Sequence, residues 1–276
     1  MLLFVNLLGI DNGYFVKRPD GTPYKQNSLT IEFCQLDPTN PEAVSWLMDI
    51  ISEQMIGEAG SSGWMCDFGE YLPFDAVLSN GVPAADYHNK YPEEWARINN
   101  LATSSSDEQP VFFMRSSWTK SPLYVPVFWL GDQNESWDEN DGLQSALTGA
   151  LSSGITGQTI THSDIGGYNF IDIDLGNGSS ITYIRTQELL MRWSEFAAFG
   201  SGLFRTHIGS STSPLAAQVY DTQESMEHFG KFASVFGALS DYRNQMMLEA
   251  QTVRKTNTYF IYLAGISYYD IPYLSI

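Results

Sequence analysis

The chain is poor in cysteine and in basic residues, and it lacks a long apolar run. Its 276 residues include two cysteines, and 14 lysines and arginines face 32 acids, which gives a formal net charge of -18. A chain of this charge repels phosphate, so nucleic acid is not expected as a partner. The acidic charge otherwise favours solubility and says little about the fold.

The cysteines and the apolar N-terminal run argue against further classes of protein, namely disulfide-linked, thiolate-metal and membrane-spanning proteins. Cys34 and Cys66 form no Cys-x-x-Cys motif, so we expect two small buried hydrophobic thiols rather than a disulfide or a thiolate metal site. The run Met1–Ile10 has no basic leader and no cleavage site, and it is too short to span a bilayer. We expect a β-strand at Leu2–Asn6, no membrane partner and, by default, a cytoplasmic location.

Short apolar segments alternate with helical patterns. Strands are predicted at Leu2–Asn6, Gly63–Phe68, Val111–Arg115, Val125–Leu130 and Ile160–Ser163. Helices are predicted after the cap Asn40–Glu42, and at Pro92–Ala102, Gly142–Leu151 and Gln187–Phe199. This alternation predicts an α/β fold with a parallel sheet, and the length suffices for one barrel-sized domain.

Two of the predicted strands end in an acid. The apolar part of Gly63–Pro73 stops at Asp67, and that of Phe128–Asn134 stops at Asp132. An unpaired buried charge is costly, so a carboxylate at a strand end needs a reason. In a barrel of alternating strands and helices, catalytic groups lie at that end. Two such acids among many aromatic residues suggest glycosidic-bond chemistry.

These motifs resemble those of glycoside hydrolase family 31, the retaining α-glycosidases, and within it the sulfoquinovosidase branch. Blocks in the family's order are Asp37–Glu42, Trp64–Pro73, Phe113–Arg115, Trp129–Asn134, His162–Tyr168 and Arg205–His207. The resemblance covers residues 1–251, and residues 252–276 look like a divergent tail. It implies a partial (β/α)8 TIM barrel that lacks the family's first strands and flanking β domains.

The resemblance assigns the two acids their roles. Asp67 aligns with the nucleophile and Asp132 with the general acid/base. A retaining mechanism needs these carboxyl groups about 5–5.5 Å apart. Asp132 would also need a raised pKa, caused by burial and by the charge of Asp67. The alternative is that both acids merely cap loops. The mechanism needs no cofactor.

A substrate-binding set follows from the same resemblance: Arg115, Trp129, Asp164, Tyr168 and His207. Two of its members have a simpler alternative role. Arg115 could instead form an ion pair that holds barrel strands together. Trp129 could pack in the core rather than stack on a sugar ring.

Two further residues are expected to support this set. Glu70 would orient a neighbour by hydrogen bonding, and His162 would lie behind Asp164 and His207. Two histidines and a carboxylate also occur in metal sites, but here they lack ligand spacing, so we expect no metal. The pair Gly166–Gly167 is interpreted as a tight turn that leaves room for substrate.

Tyr168 bears on specificity. The family's α-glucosidases usually have Phe after the two glycines, whereas the sulfoquinovosidase branch has Tyr, whose hydroxyl could bind a sulfonate directly or through water; the alternative is packing with an idle hydroxyl. The predicted function is hydrolysis of a small-molecule α-glycoside, a sulfoquinovoside, by double displacement. The alternatives are an α-glucosidase or α-xylosidase for neutral sugars, and an inactive fragment that at most binds glycans. The sequence does not indicate an oligomeric state.

Overall fold

The computed structural model describes residues 2–28, 31–104, 106, 109–176, 178–210 and 213–253. The chain forms two compact units, Met1–Pro126 and Val127–Ile276. The tail predicted over residues 252–276 lies outside the described residues, apart from its first two residues, which end a helix.

The first unit begins with helix α1 at Leu2–Asp11, so the strand predicted at Leu2–Asn6 is wrong. The physical reason lies just after the helix. Gly13 adopts a φ of 69°, and its N–H donates to the Ile10 carbonyl at 3.0 Å while that of Tyr14 donates to Gly9 at 2.9 Å. A glycine in the left-handed region satisfies the last carbonyls of a helix. Asn12–Gly13 was therefore the more informative local signal.

A hairpin and a capped helix follow. Strands β1 (Lys25–Ser28) and β2 (Ile31–Cys34) pair in the antiparallel sense. Helix α2 (Pro41–Asp49) continues as a π-helix over Ile50–Glu58. The Asn40 side chain accepts the backbone N–H groups of the second and third helical residues, at 3.0 and 3.4 Å. The helix start predicted at Asn40–Glu42 is confirmed.

The parallel strands of the first unit position Asp67, which follows the first of them. The elements here are β3 (Gly63–Met65), α3 (Ala84–Tyr87), the 3-10 turn His88–Lys90, α4 (Tyr91–Thr103), β4 (Val111–Met114) and the 3-10 turn Ser121–Leu123. Strand β3 pairs in parallel with β4, with Trp64 opposite Phe112. Gly63 is required for this approach, because a Cβ there would lie 2.1 Å from the Val111 carbonyl oxygen. The carboxyl ends of both strands meet at one edge.

Helix α4 covers these strands with apolar side chains. Its Ala96 packs with Phe112 and Met114 of β4, and its Ile98 packs with Leu36 and Ala43. All are buried, and this core fixes the two strand ends that carry polar groups.

Both cysteines are free thiols, but burial was predicted for both and holds for Cys66 alone. Cys66 is buried in the core beside α4, and Cys34 is half-buried at the end of β2. Burial raises the pKa of both thiols. Neither cysteine therefore has the lowered pKa that makes a thiol reactive at neutral pH.

The second unit repeats the strand–helix order. Its elements are β5 (Val127–Trp129), α5 (Leu143–Ile155), β6 (Thr161–His162), β7 (Ile171–Asp174), β8 (Ser180–Tyr183), α6 (Gln187–Gly200), α7 (Gln223–Ala238) and α8 (Ser240–Val253). Strand β5 pairs in parallel with β6, with Trp129 opposite His162. Strands β7 and β8 form an antiparallel hairpin.

The core of this unit lies under α5 and α6. Ala146 packs with Ile165, and with Leu189, Trp193 and Ala197 on one face of α6. The indole N–H of Trp193 also donates to Ser163 Oγ at 2.9 Å, which ties α6 to the segment after β6. Parallel strand pairs covered by helices agree with the predicted α/β fold. Within the described ranges, no helix combines the length and apolar character needed to cross a membrane.

Asp37, the first residue of a motif quoted above, organises the first unit. Its side chain is 2% exposed. One carboxylate oxygen accepts the N–H and hydroxyl of Thr39 at 2.9 and 2.6 Å, and the other accepts those of Ser79 at 2.7 and 2.6 Å. Asp37 thus joins the start of α2 to a loop 42 residues away.

Replacing Asp37 should therefore destabilise the first unit. Asp37→Ala removes the buried acceptor of four hydrogen bonds from Thr39 and Ser79, and we expect the free energy of unfolding to fall by about 2–4 kcal/mol. Urea unfolding followed by tryptophan fluorescence measures the change. Asp86→Ala, at an exposed position in α3, is the control and should stay within about 0.5 kcal/mol of the parent. Equal effects of the two variants would contradict the structural role of Asp37.

Candidate active site

Asp67 lies two residues beyond β3, at the strand end where an acid was predicted. Its carboxylate is half-buried and contacts Arg115, the first residue after β4, with Oδ1 3.0 Å from Nε. The same oxygen accepts the N–H of Phe68 at 2.8 Å, and the indole of Trp95 donates to the Asp67 carbonyl at 3.1 Å. These contacts fix both the main chain and the side chain of Asp67.

The residue after Asp67 has an unusual backbone conformation. Phe68 has a φ of 57°, a value that a bulky side chain rarely adopts. Its ring stacks on Phe33 at 4.7 Å, and its carbonyl accepts the Gln35 amide at 2.6 Å. Such conformations persist where the surroundings enforce them, and they cluster at functional sites.

Glu70 and Asp67 share one guanidinium. Arg115 Nη2 lies 2.7 Å from Glu70 Oε1, and Nε of the same group reaches Asp67. The ion pair that was the alternative role of Arg115 is present, and Glu70 is bound to the guanidinium that contacts Asp67. The substrate-binding role of Arg115 and the orienting role of Glu70 stay predictions. The second oxygen of Glu70 is buried without a hydrogen-bond partner in the described part of the chain. Glu70 and Arg115 line a cleft of about 330 Å³ with His88, Asn89, Pro92, Ser116 and Ser117.

Asp132 follows β5 by three residues, in a loop that is tightly joined to a second loop. Asn169 donates from its side chain to the Asp132 carbonyl at 2.6 Å. The backbone N–H groups of Tyr168 and Asn169 both donate to the Gln133 carbonyl, at 2.8 and 2.9 Å, and that of Glu135 donates to Asn169 at 3.0 Å. The loop of Asp132 and the loop of Tyr168 therefore form one connected framework.

Asp164 lies two residues beyond β6 and is 1% exposed. One carboxylate oxygen lies 3.1 Å from Nε2 of the fully buried His162 and forms an ion pair with Arg205. The other oxygen is buried and has no hydrogen-bond partner among the described residues. A buried carboxylate oxygen needs a donor, so this atom is suited to accept a hydrogen bond from a ligand.

His207 and Tyr168 form an aromatic pair, with ring centroids 4.8 Å apart and the planes at 78°. Nδ1 of His207 accepts the Gly209 N–H at 3.0 Å, so the proton of the neutral ring is on Nε2. Burial lowers the pKa of His207, with a smaller opposing effect from the charge of Asp164. The neutral ring therefore offers one N–H donor.

The glycine pair closes the turn between Asp164 and Tyr168. Both glycines have positive φ, 92° at Gly166 and 82° at Gly167. A Cβ on Gly166 would lie 2.3 Å from Cδ of Arg185, and one on Gly167 would lie 2.7 Å from the Asn134 carbonyl oxygen. The turn is as predicted, and the Cβ directions of both glycines face protein atoms, so glycine is required at both positions by packing within the protein.

Trp129, the last residue of β5, is 1% exposed. Its register partner in β6 is His162, also buried. This placement is the one that the core-packing alternative requires, whereas stacking on a sugar would need an exposed ring face.

A buried ion pair, Glu135–Arg185, was not predicted from the sequence. Arg185 is fully buried, and Nη2 lies 3.9 Å from Oε1 of Glu135, which is 1% exposed. The Arg185 N–H donates to the other Glu135 oxygen at 2.9 Å. Burial raises the pKa of Glu135, and the hydrogen bond and charge of Arg185 oppose that shift. The local signal was a lone arginine just before a helix, which says nothing of its partners.

The polar groups thus form two clusters. In the first unit the structure brings together Asp67, Glu70 and Arg115; in the second it brings together His162, Asp164 and Arg205, the pair Tyr168–His207, and the loop of Asp132. In the described ranges, no group of three or more His, Cys, Asp or Glu is arranged to hold a metal ion. Carboxylates, a neutral imidazole and guanidinium groups at strand ends suit the binding of a polar, hydroxyl-rich molecule.

The profile of the glycosyl hydrolases family 31 TIM-barrel domain matches residues 5–236. A sulfoquinovosidase of Agrobacterium fabrum is 38% identical over 240 residues, which are 86% of this chain and 34% of that protein. A sulfoquinovosidase of Escherichia coli K12 is 39% identical over 238 residues, which are 84% of this chain and 33% of that protein. The chain spans about a third of the length of these curated relatives.

Among solved structures, a family 31 sulfoquinovosidase from E. rectale, in complex with the aza-sugar inhibitor IFGSQ, superposes with a TM-score of 0.82 at 35% identity. The superposition covers 98% of this chain and 39% of that one.

Proposed function

The chain belongs to glycoside hydrolase family 31, and from that premise we propose that it carries the catalytic acids of a retaining α-glycosidase acting on sulfoquinovosides. The observation that carries the proposal is the placement of Asp67 and Asp132. Each follows a parallel strand by two or three residues; Phe68 and Arg115 hold the side chain of Asp67, and Asn169 binds the backbone carbonyl of Asp132. The similarity to sulfoquinovosidases supports the substrate class.

The proposed reaction is a double displacement. Asp67 attacks the anomeric carbon while Asp132 protonates the departing glycosidic oxygen, which gives a covalent glycosyl ester on Asp67 and a free alcohol. Asp132 then takes a proton from water, and the resulting nucleophile releases the sugar from Asp67. No cofactor takes part in either step.

The remaining residues have binding and orienting roles in this proposal. Asp164 accepts a sugar hydroxyl through its unpartnered oxygen, and His207 donates through Nε2. Arg115 and Glu70 orient Asp67, which the ion-pair distances support. His162 supports Asp164 from behind, at 3.1 Å.

The proposed substrate is a small glycoside, and the proposed location is the cytoplasm. The formal net charge of -18 supports the absence of a nucleic-acid partner, because phosphate is repelled.

Substrate comparison tests the proposal directly. Purified protein carrying this chain is assayed with chromogenic α-sulfoquinovoside, α-glucoside and α-xyloside. We expect turnover of the sulfoquinovoside to exceed that of both neutral sugars. Preference for a neutral sugar would move the function to α-glucosidase or α-xylosidase, and absence of all turnover would identify an inactive chain.

The nucleophile assignment predicts the behaviour of Asp67→Asn. An amide cannot form the glycosyl ester, so turnover should be abolished while substrate binding, measured by calorimetry, survives. A fluorinated glycosyl donor should label Asp67 in the parent protein, as located by peptide mass spectrometry. Asp86→Asn, at an exposed position, should retain activity and labelling. A label on another carboxylate would show that the assignment is wrong.

The acid/base assignment predicts a dependence on the leaving group. Asp132→Ala should slow glycosides with poor leaving groups far more than activated aryl glycosides, which need little protonation. Azide should restore turnover of activated substrates, because it attacks the glycosyl ester without a general base. Equal losses for all leaving groups, without azide rescue, would exclude this role.

The substrate class predicts a selective effect of Tyr168→Phe. If the hydroxyl binds the sulfonate, its removal deletes one hydrogen bond to a charged group, worth about 1.5–3 kcal/mol. That loss corresponds to about a tenfold to hundredfold decrease in kcat/KM for sulfoquinovosides. Rates for α-glucosides should change little, so the ratio of the two losses is the decisive measurement. A ratio near one would make Tyr168 a packing residue.

A further inference from the structure

Arg185 lies between β8 and α6 and has no part in the predicted site, yet it is a fully buried charge in the second unit. Its side chain donates to four backbone carbonyls: Nε to Ala217 at 2.7 Å, Nη1 to His207 at 2.7 Å and to Gly167 at 3.4 Å, and Nη2 to Ile208 at 3.2 Å. Its counter-charge is Glu135. One guanidinium therefore binds four points of the main chain.

Three of these points, the carbonyls of Gly167, His207 and Ile208, belong to the loops that carry Tyr168 and His207. Gly167 precedes Tyr168, His207 is its aromatic partner, and Glu135 lies three residues after Asp132 in the same loop. The planar guanidinium presents its donors in a fixed geometry, so carbonyls bound to it are fixed relative to one another. Gly166 makes this possible, because a Cβ there would collide with Cδ of Arg185.

Stability alone gives a poor account of this arrangement. A buried ion pair contributes little net stability and can often be replaced by apolar groups of the same volume. The side-chain bonds of Arg185 also go to loop carbonyls rather than to the core helices. Their main consequence is that they fix three loop segments relative to one another: the turn at Gly167, the segment His207–Ile208 and the segment at Ala217.

We propose that Arg185 is a positioning residue that holds Tyr168 and His207 against the loop of Asp132 and thereby sets the selectivity for the charged sugar. The selectivity part rests on the proposed function. The positioning part does not, because it concerns the Tyr168–His207 pair itself.

The first test compares Arg185→Lys with Arg192→Lys. Lysine keeps the charge but lacks the planar guanidinium with its five N–H donors, so it cannot bind four carbonyls. Arg192 is the matched control, since it lies on α6 and, within the described ranges, pairs with Glu195 alone, at 3.0 Å and near the surface. For Arg185→Lys we expect kcat/KM for the sulfoquinovoside to fall by about tenfold to hundredfold. Arg192→Lys should match the parent in activity.

A double-mutant cycle separates positioning from general damage. If Arg185 acts on selectivity through Tyr168, Arg185→Lys should lower the ratio of kcat/KM for the sulfoquinovoside to kcat/KM for the α-glucoside in the parent. It should change this ratio by less than about threefold once Tyr168→Phe is present, because any loss through His207 is common to both sugars. A general loss of folding or stability would instead give multiplicative losses, with the same factor in both backgrounds. Multiplicative losses would overturn the selectivity part of the proposal.

Nuclear magnetic resonance tests the positioning part without any activity. The imidazole C–H protons of His207, assigned by their loss in His207→Gln, should carry a ring-current shift from Tyr168 that disappears in Tyr168→Leu. Arg185→Lys should reduce this shift, and Arg192→Lys should preserve it. An unchanged shift in a folded Arg185→Lys protein would overturn the positioning. A reduced shift in a protein without glycosidase activity would support the positioning while the proposed function fails.

Discussion

A charged side chain that leaves water must find a partner inside the protein, and this requirement shapes both units. Four buried or half-buried acids meet it in different ways: Asp37 through backbone and hydroxyl donors, Asp67 through Arg115, Glu135 through Arg185, and Asp164 through His162 and Arg205. The partners in turn fix the strand ends and loops on which the acids lie. The chain path around each strand end follows from these pairings.

The number of hydrogen bonds that a buried carboxylate accepts within the protein distinguishes structural acids from candidate binding groups. Both oxygens of Asp37 accept two hydrogen bonds each, so no acceptor capacity is left for a ligand. Asp164 is equally buried, yet one of its oxygens has no partner in the described part of the chain. A fully bonded carboxylate stabilises, whereas a buried acceptor without a donor is a place where a hydroxyl can bind. The same contrast supports different roles for Asp37 and Asp164, although both lie in motifs of the family.

Close backbone approaches complete the second cluster. Gly166 and Gly167, which both have positive φ, let Arg185 and the loop of Asp132 pack against the turn that leads to Tyr168. Hydrogen bonds from that turn to Gln133 and Asp132 then connect the candidate acid to the candidate specificity residue. A change at either loop is therefore expected to reach the other through backbone geometry.

The order of the acids, their positions after strands and the family could all be predicted from the residues alone. Helices over Pro92–Ala102, Gly142–Leu151 and Gln187–Phe199 were predicted within a few residues, because caps and apolar periodicity are local signals. The roles of the site residues stay predictions.

Only the tertiary structure decided the rest. The N-terminal segment is a helix although its composition suggested a strand, because a short apolar run fits either state and neighbouring residues choose between them. The contacts of Arg185 were unpredictable for a stronger reason. Its side chain binds carbonyl oxygens, which every residue has, at points 18 to 32 residues away. The identity of the side chains can predict an acid at a strand end, but it does not predict which distant carbonyls a buried guanidinium will bind.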